Sequence, residues 1–286
     1  MNLVPRWWTP VNGGVIAATC GMCFRGCVIK KGKFGVCGAR TYRDEGFISP
    51  QLGRFISVAV DPIEKKPLRR WRPGSMILSL GGLRCNMYCP FCQNHSIAHP
   101  LGTVRAREIS VESLVELAHR MSQTAVAYTY NEPTLQAEYI YAAAPVLKEH
   151  GVATVMVTNG MFSDAVCDGA IGLVDAMNID VKTFDGEKYG KMGGSLEAVK
   201  RNTERLVSGG VHVEITNLVV PGISDDERDF ARMAEWIASV SPEIPLHISR
   251  YFPAFRYDAP PTEMSVMERF RDIAGGRLRH VYIGNA

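Results

Sequence analysis

Seven of the eight cysteines in this 286-residue chain fall into two tight groups: Cys20, Cys23, Cys27 and Cys37, then Cys85, Cys89 and Cys92. The second group has the spacing C-x3-C-x2-C, and no further cysteine follows for more than seventy residues. Three thiolates leave a structural zinc one ligand short, because such sites close with four. The same three thiolates can hold a four-iron cluster and keep one iron open to another ligand. A zinc site completed by His95 or His99 is the competing arrangement. The first group offers four thiolates within eighteen residues and no histidine among them. That suits a closed tetrahedral zinc or a second iron–sulfur cluster, and spacing leaves both open. Cys167 stands alone among apolar helical neighbours and reads as a core residue.

Composition explains why these cysteines are not staples. A chain this long that is 46% hydrophobic buries enough core to need no disulfides. Short cysteine spacings then point to metal in a reducing compartment. The apolar run near the start, Val15 to Ala18, is too short for a signal-peptide core, and nothing later approaches a membrane span of ~18 apolar residues. The sequence therefore predicts a soluble, cytoplasmic protein with no membrane partner. Its charge of +3 is uneven: from Lys30 to Arg72 there are eleven Lys or Arg against four acids. Such a run is usually a solvated face, and the sharper alternative is a docking surface for an acidic protein or a nucleic acid.

The elements that must position the second cysteine group are legible around it. Residues 1–72 are rich in Gly, Cys and basic side chains without helical period, and read as a small cysteine-rich metal-binding segment. Residues 73–286 alternate strands and helices. Strands are expected at Met76–Leu80, Thr124–Thr129, Ala153–Val157, Ala176–Val181, His212–Val219, Leu246–Ser249 and Val281–Ile283. Helices are expected at Val111–Met121 behind the cap Ser110, at Leu135–His150 with a bend at Pro145, at Ser163–Ile171 and at Leu196–Ser208. A further helix should open on a capping box formed by Ser224 and Glu227, and another precedes the final strand. Repeats of this kind predict an α/β fold, a parallel sheet curled into a partial (β/α)6 TIM-like barrel. Its chemistry should collect at the C-terminal strand ends, where the C-x3-C-x2-C loop falls.

The loop Arg84-Cys85-Asn86-Met87-Tyr88-Cys89-Pro90-Phe91-Cys92-Gln93-Asn94 resembles that of the radical S-adenosylmethionine (SAM) superfamily, and within it the pyruvate formate-lyase activating enzymes. The chain is more closely similar to the AmmeMemoRadiSam-system radical SAM group over nearly its whole length. That likeness rests on the early cysteines, on Asp61-Pro62-Ile63-Glu64-Lys65-Lys66-Pro67, on the cluster loop and on Thr129-Tyr130-Asn131-Glu132-Pro133. The resemblance implies a [4Fe-4S] cluster on Cys85, Cys89 and Cys92, with Phe91 beside the adenine of SAM, which disfavours zinc. It also implies cofactor contacts from Gln93 and Asn94. Tyr130 and Asn131 stand where relatives carry Gly-Gly, and Glu132 would accept from the SAM ammonium. Thr158 and Asn159 end the third strand, and Asp180 and Lys182 the fourth, where Lys182 can pair with the SAM carboxylate. Activating enzymes carry a histidine near SAM after the sixth strand; Phe252 falls there, which leaves His247 and Arg250 as substitutes.

The implied activity is reductive cleavage of SAM to a 5′-deoxyadenosyl radical, which takes hydrogen from a protein or a small molecule, with flavodoxin or ferredoxin as reductant. A different class of function is a metal-stapled module that binds nucleic acid or protein through its basic segment without catalysis. Nucleic acid is the less favoured partner.

Overall fold

The structure is a computed structural model that describes residues 3–11 and 16–285, so Val15 of the early apolar run lies outside the described residues. Its centre is an eight-stranded sheet. The strands are β1 (Ser57–Pro62), β2 (Met76–Gly81), β3 (Ala125–Thr129), β4 (Ala153–Thr158), β5 (Ala176–Asp180), β6 (His212–Val219), β7 (Leu246–Arg250) and β8 (Val281–Gly284). They lie side by side in chain order. From β2 to β8 every pair is parallel, while β1 runs antiparallel to β2. Six helices make the crossovers: α1 (Val111–Arg120), α2 (Ala137–Glu149), α3 (Asp164–Ala170), α4 (Leu196–Ser208), α5 (Glu227–Val240) and α6 (Met264–Gly275). The edges β1 and β8 are not paired with each other, so the barrel is open. Among the described residues no helix is long and apolar enough to cross a membrane.

The expected elements are present with ends shifted by a residue or two. Ser110 and Ser163 cap α1 and α3 by accepting from Ser113 N and Val166 N, and Pro145 lies inside α2. One cap differs. Asp226, not Ser224, caps α5, accepting from Asp229 N at 2.9 Å. Ser224 is occupied in the preceding turn, where its hydroxyl accepts from Val220 N and donates to Leu218 O.

Strand alternation divides the core in two. Outward-facing residues such as Leu78, Leu80, Val126, Met156, Ile179 and Ile215 join the helices in one large cluster. Inward-facing Ile77, Ala125, Ala127, Ala153, Val155 and Ala176 form a second, separate cluster with Ile63 and Leu68. The inner residues are small because a chain segment occupies the space they leave. Residues 63–72 enter the barrel from below, and Ile63, Lys66 and Leu68 are all but fully buried there. Sequence placed β1 and this segment in the N-terminal unit, whereas β1 is the first strand of the barrel sheet and the segment is its plug. Of this basic stretch only Lys66 is drawn inside, while Lys65, Arg69, Arg70 and Arg72 remain exposed. Lys66 bonds Asp61 inside the barrel at 2.8 Å, Arg69 lies over the Tyr282 ring and Arg72 over Trp71.

Ahead of β1, Trp8–Pro10, Ala17–Cys20 and Val28–Lys30 make a small antiparallel sheet, followed by a hairpin at Thr41–Arg43 and Gly46–Ile48. This unit docks on the chain just beyond β4: Phe24 N donates to Met161 O and Ser163 N to Met22 O. Cys167 is fully buried in the outer cluster, as expected.

Candidate functional site

Strand β2 ends at Gly81, where an added Cβ would meet Tyr130 Cδ2 at 2.8 Å, so only glycine lets the next strand end approach this closely. The cysteine loop follows. It is pinned by Arg84 N to Ile97 O, Tyr88 N to Met192 O, and Asn131 Nδ2 to Arg84 O at 2.8 Å each or slightly longer. Met87 N donates to Cys85 Sγ at 3.4 Å. Cys85, Cys89, Cys92, Phe91, Gln93 and Asn94 line one wall of a large pocket over the C-terminal strand ends. Burial pushes the Cys85 and Cys89 thiols up, the latter to about 11 even with the Lys182 ammonium opposing it. Both histidines offered for a zinc site have stacked rings. His95 stacks on Phe255 at 4.7 Å and His99 on Tyr88 at 4.4 Å. Among the described residues no three His, Cys, Asp or Glu side chains converge on a single metal ion.

The other walls come from the next three strand ends. Tyr130 has φ +71°, a left-handed conformation that glycine adopts without strain, which rationalises the Gly-Gly of the resembled pattern at this turn. Its hydroxyl donates to Asp61 Oδ2 at 2.6 Å. Asn131 Oδ1 accepts from Gly82 N at 3.0 Å, tying the ends of β2 and β3. Glu132 is buried: Oε1 accepts from Thr134 N, Thr134 Oγ1 and Thr158 Oγ1, and Oε2 from Asn159 N at 2.9 Å. Burial outweighs these four neutral donors and raises its pKa. Oε2, with a single donor, keeps a free lone pair. Asn159 Nδ2 donates to Asn86 Oδ1 at 2.8 Å and lies 3.9 Å from Cys85 Sγ. At the end of β5, Asp180 and Lys182 pair at 3.0 Å. Burial works against the Lys182 charge, but Asp180 and the Cys89 thiolate hold its pKa above the ordinary lysine range.

Two expected residues are elsewhere. His247 shares the inner face of β7 with Ser249, but it sits two residues nearer the N-terminal end, and its Nε2 bonds Glu214 Oε2 at 2.7 Å. Arg250 donates to Thr262 O at 2.8 Å and covers the Phe252 ring. Neither lines the pocket. Residues that sequence reasoning missed do: Lys65, Lys66, Asn178, Thr216, Ser249 and Asn285. A signal existed for two of them. Asn178 and Thr216 are polar at inward positions of otherwise apolar strands, and they bond each other at 2.9 Å.

Cys20, Cys23, Cys27 and Cys37 meet around a second, smaller cavity that Arg40 and Asn86 also line. Asn86 is fully buried, and its amide nitrogen has no partner among the described residues. A metal-bound thiolate or sulfide would satisfy it. Asn86 thus stands between the two cysteine groups, next to Cys85 in sequence and facing the quartet in space.

A sequence profile described as "Radical SAM superfamily" matches residues 81–234. An uncharacterised protein of Methanocaldococcus jannaschii is 36% identical over 271 residues, covering 93% of this chain and 80% of its own length. The pyruvate formate-lyase 1-activating enzyme of Escherichia coli is 29% identical over 161 residues, 53% of this chain, and the chain spans 64% of that enzyme. In fold the chain is similar to Streptococcus suis SuiB, solved bound to S-adenosylmethionine, with TM-score 0.56 at 10% identity, over 71% of this chain and 48% of that one.

Proposed function

The chain belongs to the radical SAM superfamily, and from that premise we propose that Cys85, Cys89 and Cys92 hold a [4Fe-4S] cluster beside a SAM site built by the ends of β2 to β5. Family membership makes the chain a radical SAM enzyme and implies both cofactors. The observation that carries the residue assignment is the single pocket. Residues chosen on four separate stretches of sequence, from Cys85 to Lys182, line it together. Three thiols and no fourth cysteine in that lining fit a cluster with one open iron.

When bound, the reduced cluster supplies the electron that splits SAM into methionine and a 5′-deoxyadenosyl radical. The chain's residues supply binding and orientation. Lys182, steered by Asp180, pairs with the SAM carboxylate, and the free lone pair on Glu132 Oε2 accepts from its ammonium. Phe91, buried against the loop, packs beside the adenine. Gln93 and Asn94 border the same space. The substrate, a protein or a small molecule that gives up hydrogen, enters the remaining part of the pocket, and flavodoxin or ferredoxin is the reductant. The quartet Cys20, Cys23, Cys27 and Cys37 holds a second metal, zinc or iron–sulfur, with Asn86 as its polar neighbour.

The test is anaerobic reconstitution with iron, sulfide, SAM and a low-potential reductant. Release of 5′-deoxyadenosine is expected. A reconstituted protein that takes up zinc at Cys85, Cys89 and Cys92 and releases none would refute the assignment. Metal analysis of a variant lacking those three thiols then identifies the metal of the quartet.

A further inference from the structure

The plug does more than fill the barrel. It carries Lys65 and Lys66 into the lining of the pocket. Lys66 is 2% exposed, yet it borders the pocket. Its ammonium makes one hydrogen bond among the described residues, to Asp61 Oδ2 at 2.8 Å, and lies 4.4 Å from the centroid of the Tyr130 ring. Asp61, which is outside the lining, also accepts from Tyr130 OH and pairs with Lys65, and the Lys66 ammonium, with one hydrogen bond, has donors to spare.

The charges around the pocket sort in the same way. Glu132, Asp180 and Lys182 are accounted for by the SAM site, with Asp180 and Lys182 paired. Beyond them, the charged side chains in the lining are Lys65 and Lys66, surrounded by the neutral polar groups of Asn178, Thr216, Ser249 and Asn285. Holding a lysine this deep costs desolvation, which lowers its pKa even though Asp61, five residues earlier, opposes the shift. A merely structural ion pair would gain nothing from facing a cavity.

We propose that Lys66 is the substrate anchor of this site, binding an anionic group, carboxylate or phosphate, on the molecule that donates hydrogen. This rests on the reading of the pocket as a radical SAM site. Asp61 and Tyr130 are its positioning residues: they fix the ammonium and leave it donors to spare. The neutral polar groups of β5 to β8 then recognise the remainder of a polar substrate.

The probes are succinate and inorganic phosphate for binding, and selenate for location, all with the iron-loaded full-length protein. Calorimetry should show saturable binding of succinate or phosphate, and the stronger of the two identifies the anion. Lys66→Met should lose at least tenfold in that affinity, whereas Lys66→Arg should stay within a few-fold; circular dichroism and iron content verify folding. Crystals of the wild-type protein soaked in selenate should give an anomalous peak, which marks selenium, within about 4 Å of Lys66 Nζ, a result that needs no variant. Unchanged affinity in a folded Lys66→Met protein, absence of anion binding, or selenate bound only elsewhere overturns the proposal. None of these outcomes touches SAM cleavage, which is measured separately on the wild type, so the anchor and the radical reading fail independently.

Discussion

The two ends of the barrel each bury a glutamate, and their surroundings shift the two carboxyl groups in opposite directions. At the C-terminal end Glu132 has only neutral donors, and burial raises its pKa. At the N-terminal end Glu214, equally inaccessible, accepts from Arg69 N at 3.0 Å, Arg70 N at 2.7 Å, His212 Nε2 at 3.0 Å and His247 Nε2 at 2.7 Å. Burial opposes its charge, but these bonds prevail and hold it down at about 2. The difference separates a site from a seam. Glu214 is satisfied by the plug that closes the barrel, while Glu132 retains capacity that a cationic ligand can use.

The largest effect should come from the C-terminal end alone. Replacing Cys85, Cys89 and Cys92 with Ala should reduce 5′-deoxyadenosine formation to background while the circular dichroism spectrum stays that of the wild type. Formation at the wild-type rate would end the distinction between the two ends, since the chemistry would have to lie elsewhere.

The N-terminal end should answer in stability. Leu68 is fully buried against Ile77 and the inner alanines, so Leu68→Ala should cost about 2–5 kcal/mol, read from the denaturant midpoint. A midpoint that does not move would mean that the segment lies on the barrel without being packed into it.

These contrasts mark what the sequence could and could not convey. Alternation of apolar strands and amphipathic helices is a local signal, and it gave the six βα units and the cysteine loop at the first strand end. Depth along a strand is not local. His247 lies on the same inner face as the pocket residue Ser249, and only the register with β6 shows that it meets Glu214 at the other end. The plug was hidden for a related reason. Lys65 to Arg72 reads as solvated charge, and Lys66 is buried only because Asp61 turns back to meet it, while Ile63 and Leu68 find a cavity that alanines on three strands leave open. Strand β1 was lost with it, since Asp61 and Pro62 end its six residues and blur the alternation. The quartet was legible as a group, and the role of Asn86 between the two groups was not, because it depends on the N-terminal unit docking beyond β4.

The smallest effect is also the one that tests the comparison most directly, because the two glutamates should respond to acid with opposite sign. Glu214 has a folded pKa of about 2 against an ordinary 4.5, so its contribution to stability is complete above about 4.5 and is lost as pH falls toward 2. The shift corresponds to roughly 3 kcal/mol at most, less whatever the protein recovers by relaxation. Glu132 has a folded pKa above 4.5, so its charged form opposes folding: that penalty is absent in acid and grows as pH rises past 4.5. Glu214→Gln should therefore destabilise the protein at pH 7 and flatten its loss of stability between pH 5 and 3, measured by urea midpoints of the SAM-free protein. Glu132→Gln should cost less at pH 7 than at pH 4, and should make the loss of stability between pH 5 and 3 steeper. If both substitutions change the acid limb in the same direction, the two carboxylates share one environment, and the assignment of one end to ligand and the other to structure fails.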